Sequence, residues 1–365
     1  MELGLYTFGD LPAGARGPEA ARRRLAEIVA AAKLADEAGL SVFGIGEHHR
    51  PDYAISAPEV VLGTIAGTTR SIRLTTAVTI LSSADPVRIF EQFATVDLLS
   101  GGRAEIMVGR GAFVESFPLF GYALEDYDAL YIEKLDLFLK IATDKRVTWS
   151  GRFRSPLRDA TVSPRPLASD QRIWIAAGGT PESAVRAGTA GLPLNLANIS
   201  GEPARFKPFI DLYRRSGLAA GHAPGALRVA ISGHLHVQKN AQAARDDFYP
   251  HYAGYIGHNL PRGDAGWTVS RDDYERLLSP RGPLFVGGPH EIVDKILYEH
   301  EMFRHDRFMA QIDIGGLPYA KVANAIELLA TDILPAVRKA LAAHHVNMSA
   351  GARPAIAAIG TDKQT

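Results

Sequence analysis

The stretch IRLTTAVTILSSADPVRIFEQFATVDLLSGGRAEIMVGRG, residues 72–111, carries the alternation on which the whole fold rests. Its first ten residues are β-branched and apolar and predict a strand over 72–81. Residues 85–102 then read as a helix. Asp85 can cap its first turn, Pro86 suits the first helical position, and Gly101-Gly102 stop it. Residues 103–111 return to strand. A strand, a helix and a second strand in this order predict parallel strands joined by a crossover helix.

The same rhythm runs outward in both directions. Strands are expected at 3–8, 42–46, 172–179, 192–198, 227–237 and 307–316. Helices are expected at 18–39, 58–69, 126–143, from 180, at 203–216, from 240, and at 320–341 with a kink near Pro335. Eight strand–helix pairs over this length suit a closed (β/α)8 TIM barrel better than an open sheet. Two stretches break the rhythm. Residues 147–168 read as a hairpin or extended loop before the fifth strand. Residues 250–290, rich in His, Gly, Pro and Arg, read as a long excursion between the seventh and eighth strands, of a length that suits a lid. One barrel domain is expected over 1–345, with 346–365 a peripheral tail.

Composition narrows the function. The 365 residues are 46% hydrophobic and 22% charged, and 40 basic residues balance 40 acidic ones. Zero net charge argues against nucleic-acid binding through a broad basic surface. No apolar run reaches the roughly 18 residues of a membrane span. No signal-peptide pattern opens the chain. There is no cysteine, which excludes disulfides, thiolate metal sites and a cysteine nucleophile; a cytoplasmic location is the expectation.

Barrel active sites sit at the C-terminal ends of the strands. The polar candidates fall there: Phe8-Gly9-Asp10, Glu47-His48-His49, Ser82-Ser83, Arg110-Gly111, Gly178-Gly179-Thr180, Asn195 to Asn198, and Gly315-Gly316. The cluster GIGEHHRPDY (46–55) admits three readings: metal ligands, a catalytic base with its neighbours, or a polar loop. Strand alternation sends Val42, Gly44, Gly46 and His48 to one side, with the two glycines leaving space beneath His48. Glu47 and His49 then face the other way, where Glu47 can anchor the loop. Adjacent residues converge poorly on one ion, so no metal is assigned. In VGRGAF (108–113), glycines let the backbone approach a bound group and Arg110 can place a guanidinium on a phosphate. In AAGGTPESA (176–184), a strand ends and a helix begins, and Thr180 and Ser183 add donors to the helix N-terminus. Two glycine-rich turns at one rim, one carrying an arginine, point to a phosphorylated ligand. No dinucleotide fingerprint, P-loop or nucleophile elbow is present.

At this point the chain resembles the bacterial luciferase-like, flavin-dependent monooxygenases. The resemblance rests on ADEAGLSVFGIGEHH (35–49), on TTAVTILSSADPVRIFEQFATVDLLSGGRAEIMVGRG (75–111) and on WIAAGGTPESA (174–184), and covers about residues 1–340. It implies a (β/α)8 barrel, reduced FMN supplied by a separate flavin reductase, O2, and a small organic substrate. It implies His48 as the proton donor or acceptor near the flavin, with Glu47 beside it. It implies a non-proline cis peptide at Ala77-Val78 under the ring. It also implies phosphate contacts from Arg110, Gly178, Gly179 and Ser183; Thr180 and Ala112 complete the expected cofactor set. Phe8, Phe113 and Ser116 are expected around the substrate from their rim positions. Homodimerisation through helices near 58–70 and 86–100 is a family habit. Two departures stand out: Gly109 where luciferase has cysteine, and Gly178-Gly179 where it has Glu-Ser. Activity on a long-chain aldehyde is therefore not implied. The rivals are a deazaflavin- or flavin-dependent dehydrogenase, a flavin binder without catalysis, and a metallohydrolase barrel.

Overall fold

The computed structural model describes all residues except 112, 168–171, 200, 260–268 and 352–365. Along the chain, β1 (Glu2–Thr7) leads to α1 (Gly17–Glu37), β2 (Val42–Ile45) to α2 (Pro58–Thr68), and β3 (Arg73–Thr76) with β4 (Thr79–Ile80) to α3 (Pro86–Ser100). Next come β5 (Ile106–Gly109), a short α4 (Ser116–Leu119) and α5 (Tyr127–Thr143). The insertion before the fifth barrel strand is an antiparallel hairpin, β6 (Val147–Trp149) with β7 (Leu157–Ala160). The rhythm resumes with β8 (Ile173–Ala177), α6 (Pro181–Thr189), β9 (Leu194–Ala197), α7 (Lys207–Ala219) and β10 (Val229–Val237). It ends with α8 (Ala241–Asn259), α9 (Arg271–Leu278), β11 (Phe285–Gly287), α10 (Pro289–Phe303), β12 (Arg307–Gln311), α11 (Tyr319–Leu328) and α12 (Leu334–Gly351).

The strands pair in the order β3-β2-β1-β12-β10-β9-β8-β5-β4, with β11 alongside the end of β10. Every named pairing on that path is parallel. The ring closes because β3 also touches the foot of β5, through the bridge between Leu74 and Ala104. The expected single strand over 72–81 is in fact two pieces. A cis peptide between Ala77 and Val78 interrupts it, so β3 and β4 are one barrel strand broken at the mouth. With that break counted once, the chain is the expected (β/α)8 barrel.

Local chemistry explains the elements. Asp85 caps α3, accepting from the amides of Val87 (3.0 Å) and Arg88 (3.1 Å), and Gly101 ends it at φ 69°. The expected kink near Pro335 is a π-helical turn over Leu329–Ile333, directly before it. The excursion expected over 250–290 lies between the seventh and eighth barrel strands, and its described part is built largely of regular elements. Its first part continues α8 to Asn259 with Pro250 inside the helix, and α9 and β11 occupy much of the rest. Its middle, 260–268, lies outside the described residues, as does most of the expected tail.

Side chains alternate as the pleat demands. Phe43 and Ile45 pack outward against the helices, while Val42 turns inward onto Tyr6, Ala77 and Met309. At the N-terminal floor, Arg307 is fully buried, donates to both carboxylate oxygens of Glu105 (2.7 and 3.1 Å) and to Glu2 (2.7 Å), and lies 4.4 Å from the Trp174 ring centroid. Arg73 joins Glu2 and Glu105 from the other side. This plug fills the bottom of the barrel and leaves the opposite mouth for chemistry. Among the described residues no helix is long and apolar enough to cross a membrane.

Candidate active site

The β2 register carries past its end as the alternation demands. Gly44 and Gly46 face inward, but the space they leave is not empty. A Cβ on Gly46 would collide with the Phe8 ring and stand 2.8 Å from the Ala77 carbonyl oxygen; one on Gly44 would meet Tyr6 and Ala77 at 3.1 and 3.2 Å. The expected open floor beneath His48 is therefore a slot that admits Phe8 and the Ala77-Val78 turn.

His48 is 5% exposed. Its Nδ1 lies 2.9 Å from Glu115 Oε1. Its ring is boxed by Phe8 (centroids 5.0 Å, edge-on), Tyr53 (4.2 Å, tilted) and Phe113 (4.9 Å, edge-on). Burial alone would raise Glu115, but the His48 hydrogen bond and the charges of His48 and Arg50 hold its carboxyl below the ordinary range. An ionised Glu115 accepts Nδ1–H, which leaves Nε2 as the ring nitrogen for proton exchange. Glu47 turns the other way: its Oε1 accepts from the Ile80 amide at 2.8 Å, tying the end of β2 to β4. Burial, opposed by that amide and reinforced by Glu59 and Glu115, pushes Glu47 up to about 8, so it is mostly neutral at pH 7.

The second half of the site lies across the mouth, on β5 and β8. Arg110 Nη2 donates to Thr180 Oγ1 (3.0 Å) and reaches Ser183 Oγ (3.5 Å), and the two hydroxyls are 2.7 Å apart. Arg110 Nη1 donates to Asp128 Oδ1 at 2.6 Å, and its guanidinium stands 5.7 Å from the Tyr127 ring centroid. The Tyr127 hydroxyl donates to the Gly111 carbonyl and pins that turn. Gly179 takes φ 108°, where a Cβ would press to 2.8 Å from the Phe206 ring; one on Gly178 would meet nothing within 4 Å. A guanidinium, two hydroxyls and the N-terminus of α6, beside an unobstructed turn, form a donor set that fits a phosphate. Between the two halves, Val78 approaches Gly109, where a Cβ would lie 3.0 Å from Val78 Cγ2. Glycine at 109 lets β5 come close to the cis turn.

The structure brings together His48, Glu47, Phe8, Phe113, Ala77 and Val78, and separately Arg110, Gly178, Gly179, Thr180 and Ser183. Ser116 is fully buried at the start of α4, next to Glu115, and its Oγ has no partner among the described residues. Ala112 lies outside the described residues. Several neighbours were not singled out in the sequence. Glu115 is one; its only signal is a carboxylate six residues beyond the end of β5. Arg50 is another, donating to Asp52 and to Asn259 Oδ1 (2.8 Å) and so binding the loop after β2 to the end of α8. A third is Asp313, buried at the end of β12 beside Asp10, the rim candidate at the end of β1. Gly315 N donates to Asp10 (2.8 Å), Thr7 donates to Asp313, and Arg24 serves the backbone oxygens of both. Burial with the Asp313 charge pushes Asp10 up to about 8. Among the described residues, no group of three or more His, Asp or Glu side chains is placed to hold a metal ion.

Comparison with known proteins gives this geometry its context. The model of the luciferase-like monooxygenase family matches residues 1–306. The oxygenase component of the flavin-dependent trigonelline monooxygenase of Acinetobacter baylyi is 22% identical over 333 residues, 85% of this chain and 89% of that protein. Among solved structures, monooxygenase RslO1 from Streptomyces bottropensis superposes with TM-score 0.81 at 24% identity, covering 92% of this chain and 99% of that one. The oxygenating constituent of 3,6-diketocamphane monooxygenase of Pseudomonas putida, in complex with FMN, gives TM-score 0.74 at 17% identity over 92% and 98% of the two chains. An F420-dependent secondary alcohol dehydrogenase gives 0.70 at 17% identity over 92% and 99%. At these identities the structural likenesses carry the fold, and it is the family match over most of the chain that identifies it: the protein belongs to the luciferase-like monooxygenases.

Proposed function

We propose that this protein is the oxygenase of a two-component system, taking reduced FMN from a separate reductase and using O2 to oxidise a small organic substrate. One observation carries the reading: Arg110 meets Thr180 and Ser183 at the N-terminus of α6, across the barrel mouth from a buried His48. Reduced flavin, when bound, supplies the two electrons that activate oxygen. The chain's own residues do the rest. Arg110, the two hydroxyls and the first amides of α6 bind the phosphate. The Ala77-Val78 turn, backed by Gly109, offers a flat seat beside Phe8. Phe8, Tyr53 and Phe113 keep water from His48. Glu115 holds Nδ1–H, so Nε2 faces the reaction as acceptor or, once protonated, as donor. Glu47, neutral near pH 7, adds no charge beside the seat and positions β4.

The test is fluorescence titration with FMN, riboflavin and a deazaflavin. FMN is expected to bind more tightly than riboflavin, which lacks the phosphate. Arg110→Ala should weaken FMN about tenfold to hundredfold and leave riboflavin unchanged, the size of a lost charge-assisted hydrogen bond. An R110A protein that keeps full FMN affinity removes the phosphate cradle from the account. Preferential binding of the deazaflavin would move the reading to a hydride-transferring dehydrogenase.

A further inference from the structure

Arg110 is shared. Its Nη2 serves the hydroxyls of the phosphate cradle, while its Nη1 is held by Asp128 Oδ1 at 2.6 Å. Asp128 lies in the first turn of α5, and its side chain is 69% exposed against 26% for Arg110. Tyr127, next to it, sits 5.7 Å from the guanidinium and donates to the Gly111 carbonyl, so the start of α5 is fixed against the loop that carries Arg110. A phosphate arriving on Thr180 and Ser183 would carry about −1.5 to −2 charge at pH 7. It would meet a guanidinium already half neutralised by a carboxylate of the same sign as itself.

From this geometry we infer that Asp128 is a built-in competitor for Arg110, which weakens the grip on the flavin phosphate and speeds its release. The inference rests on the phosphate cradle proposed above and adds a determinant of how long the flavin stays. An oxygenase fed by a separate reductase must accept and return its flavin in every cycle, and a tethered carboxylate lowers affinity without removing the cationic partner. Asp128 has the freedom to yield, because most of its side chain is in solvent. Its effect is correspondingly modest and sensitive to salt. The alternative physical role is the opposite one: Asp128 orients the Arg110 fork and helps binding.

Asp128→Asn separates the two. Fluorescence titration with oxidised FMN should show binding about twofold to fivefold tighter than wild type, within the range of exposed ion pairs, with a matching fall in the stopped-flow release rate. Riboflavin affinity should not change. The gain should vanish in about 1 M NaCl, where screening reaches only about 3 Å, and Asp128→Glu should restore wild-type behaviour. Unchanged or weaker FMN binding by D128N overturns the competitor role. R110A reports separately on the cradle. If R110A binds FMN as wild type does, the phosphate site itself is wrong; if R110A weakens FMN while D128N does nothing, only the competitor role is.

Discussion

At the scale of single residues, the decisive pair is His48 with Glu115. A buried imidazole with one nitrogen held by a carboxylate has a defined tautomer, so the other nitrogen is the one left for proton exchange. Removing the ring and removing its holder should have different signatures. With photoreduced FMN and a substrate that the wild type oxidises, His48→Ala should lower turnover about 10²- to 10⁴-fold, the range for a lost general acid or base. Glu115→Gln keeps the shape but withdraws the charge that favours Nδ1–H. It should cost less than H48A, because the ring remains but is no longer held by a charge-assisted bond. Normal turnover by H48A would remove the imidazole from the mechanism, and unchanged turnover in E115Q would reduce Glu115 to packing. Glu115 escaped the sequence reading for a physical reason. It is 67 residues from His48 and on a different loop, and only closure of the barrel makes them neighbours.

Among the elements, the break between β3 and β4 organises the mouth, and Glu47 spans it from β2. The sequence showed a β-branched run over 72–81 but not its interruption, since nothing in the local pattern distinguishes Ala77-Val78 from any other strand pair; only the family resemblance marked it. Over 250–290 the composition marked an excursion but not its elements: Pro250 has no amide proton, yet α8 runs through it, with Phe248, Tyr252 and Tyr255 buried on either side. Tertiary packing overrode the local signal. The Glu47 link between β2 and β4 has a consequence for stability. Burial pushes its carboxyl up to about 8 in the fold, from about 4.5 in the free chain. Between those values the unfolded chain binds fewer protons than the native one, so stability falls as pH rises from about 5 to 8. Asp10 and Glu299, pushed up to about 8 by burial, act in the same direction. Glu47→Gln retains an acceptor for the Ile80 amide and cannot ionise. Its unfolding free energy from urea titration should therefore drop less over this range than that of wild type, by ~1–2 kcal/mol once partial exposure of the group is allowed for. Parallel pH dependences in the two proteins would show that Glu47 is charged throughout.

For the molecule as a whole, the barrel was legible because it is written in periodicity: each strand–helix pair can be seen locally, and eight of them close only one way. The rim could be named for the same reason, since chemistry gathers where parallel strands end. What local pattern does not encode is which rim residues meet. Arg110 reaches Thr180 across 70 positions, and the floor ion pair of Arg307 with Glu105 spans 202. The surface holds one further message of this global kind. The outward face of α2 shows Val60 (70% exposed), Thr64, Gly67 and Thr68, with no charged side chain among them. Neighbouring α3 adds Thr95, Leu98 (43%) and Leu99 (64%) beside a fully buried inner face. Single exposed apolar residues are ordinary, but two adjacent surface helices whose outward faces carry, among the residues described, only the Arg88–Glu91 pair at the start of α3 are costly to leave in water. A second copy of the chain, packed α2–α3 against α2–α3 about a two-fold axis, would cover both. Sedimentation equilibrium at about 10 μM should then give twice the mass of a 39.4 kDa chain. Thr64→Arg places a charge within the face and should shift the protein toward monomer, whereas Leu218→Arg, at a half-exposed apolar position on α7 far along the chain, should not. A wild type that sediments as a monomer at that concentration would mean that these faces are simply solvated, and FMN affinity at the proposed cradle, whose Arg110, Thr180 and Ser183 come from one chain, should be the same in either case.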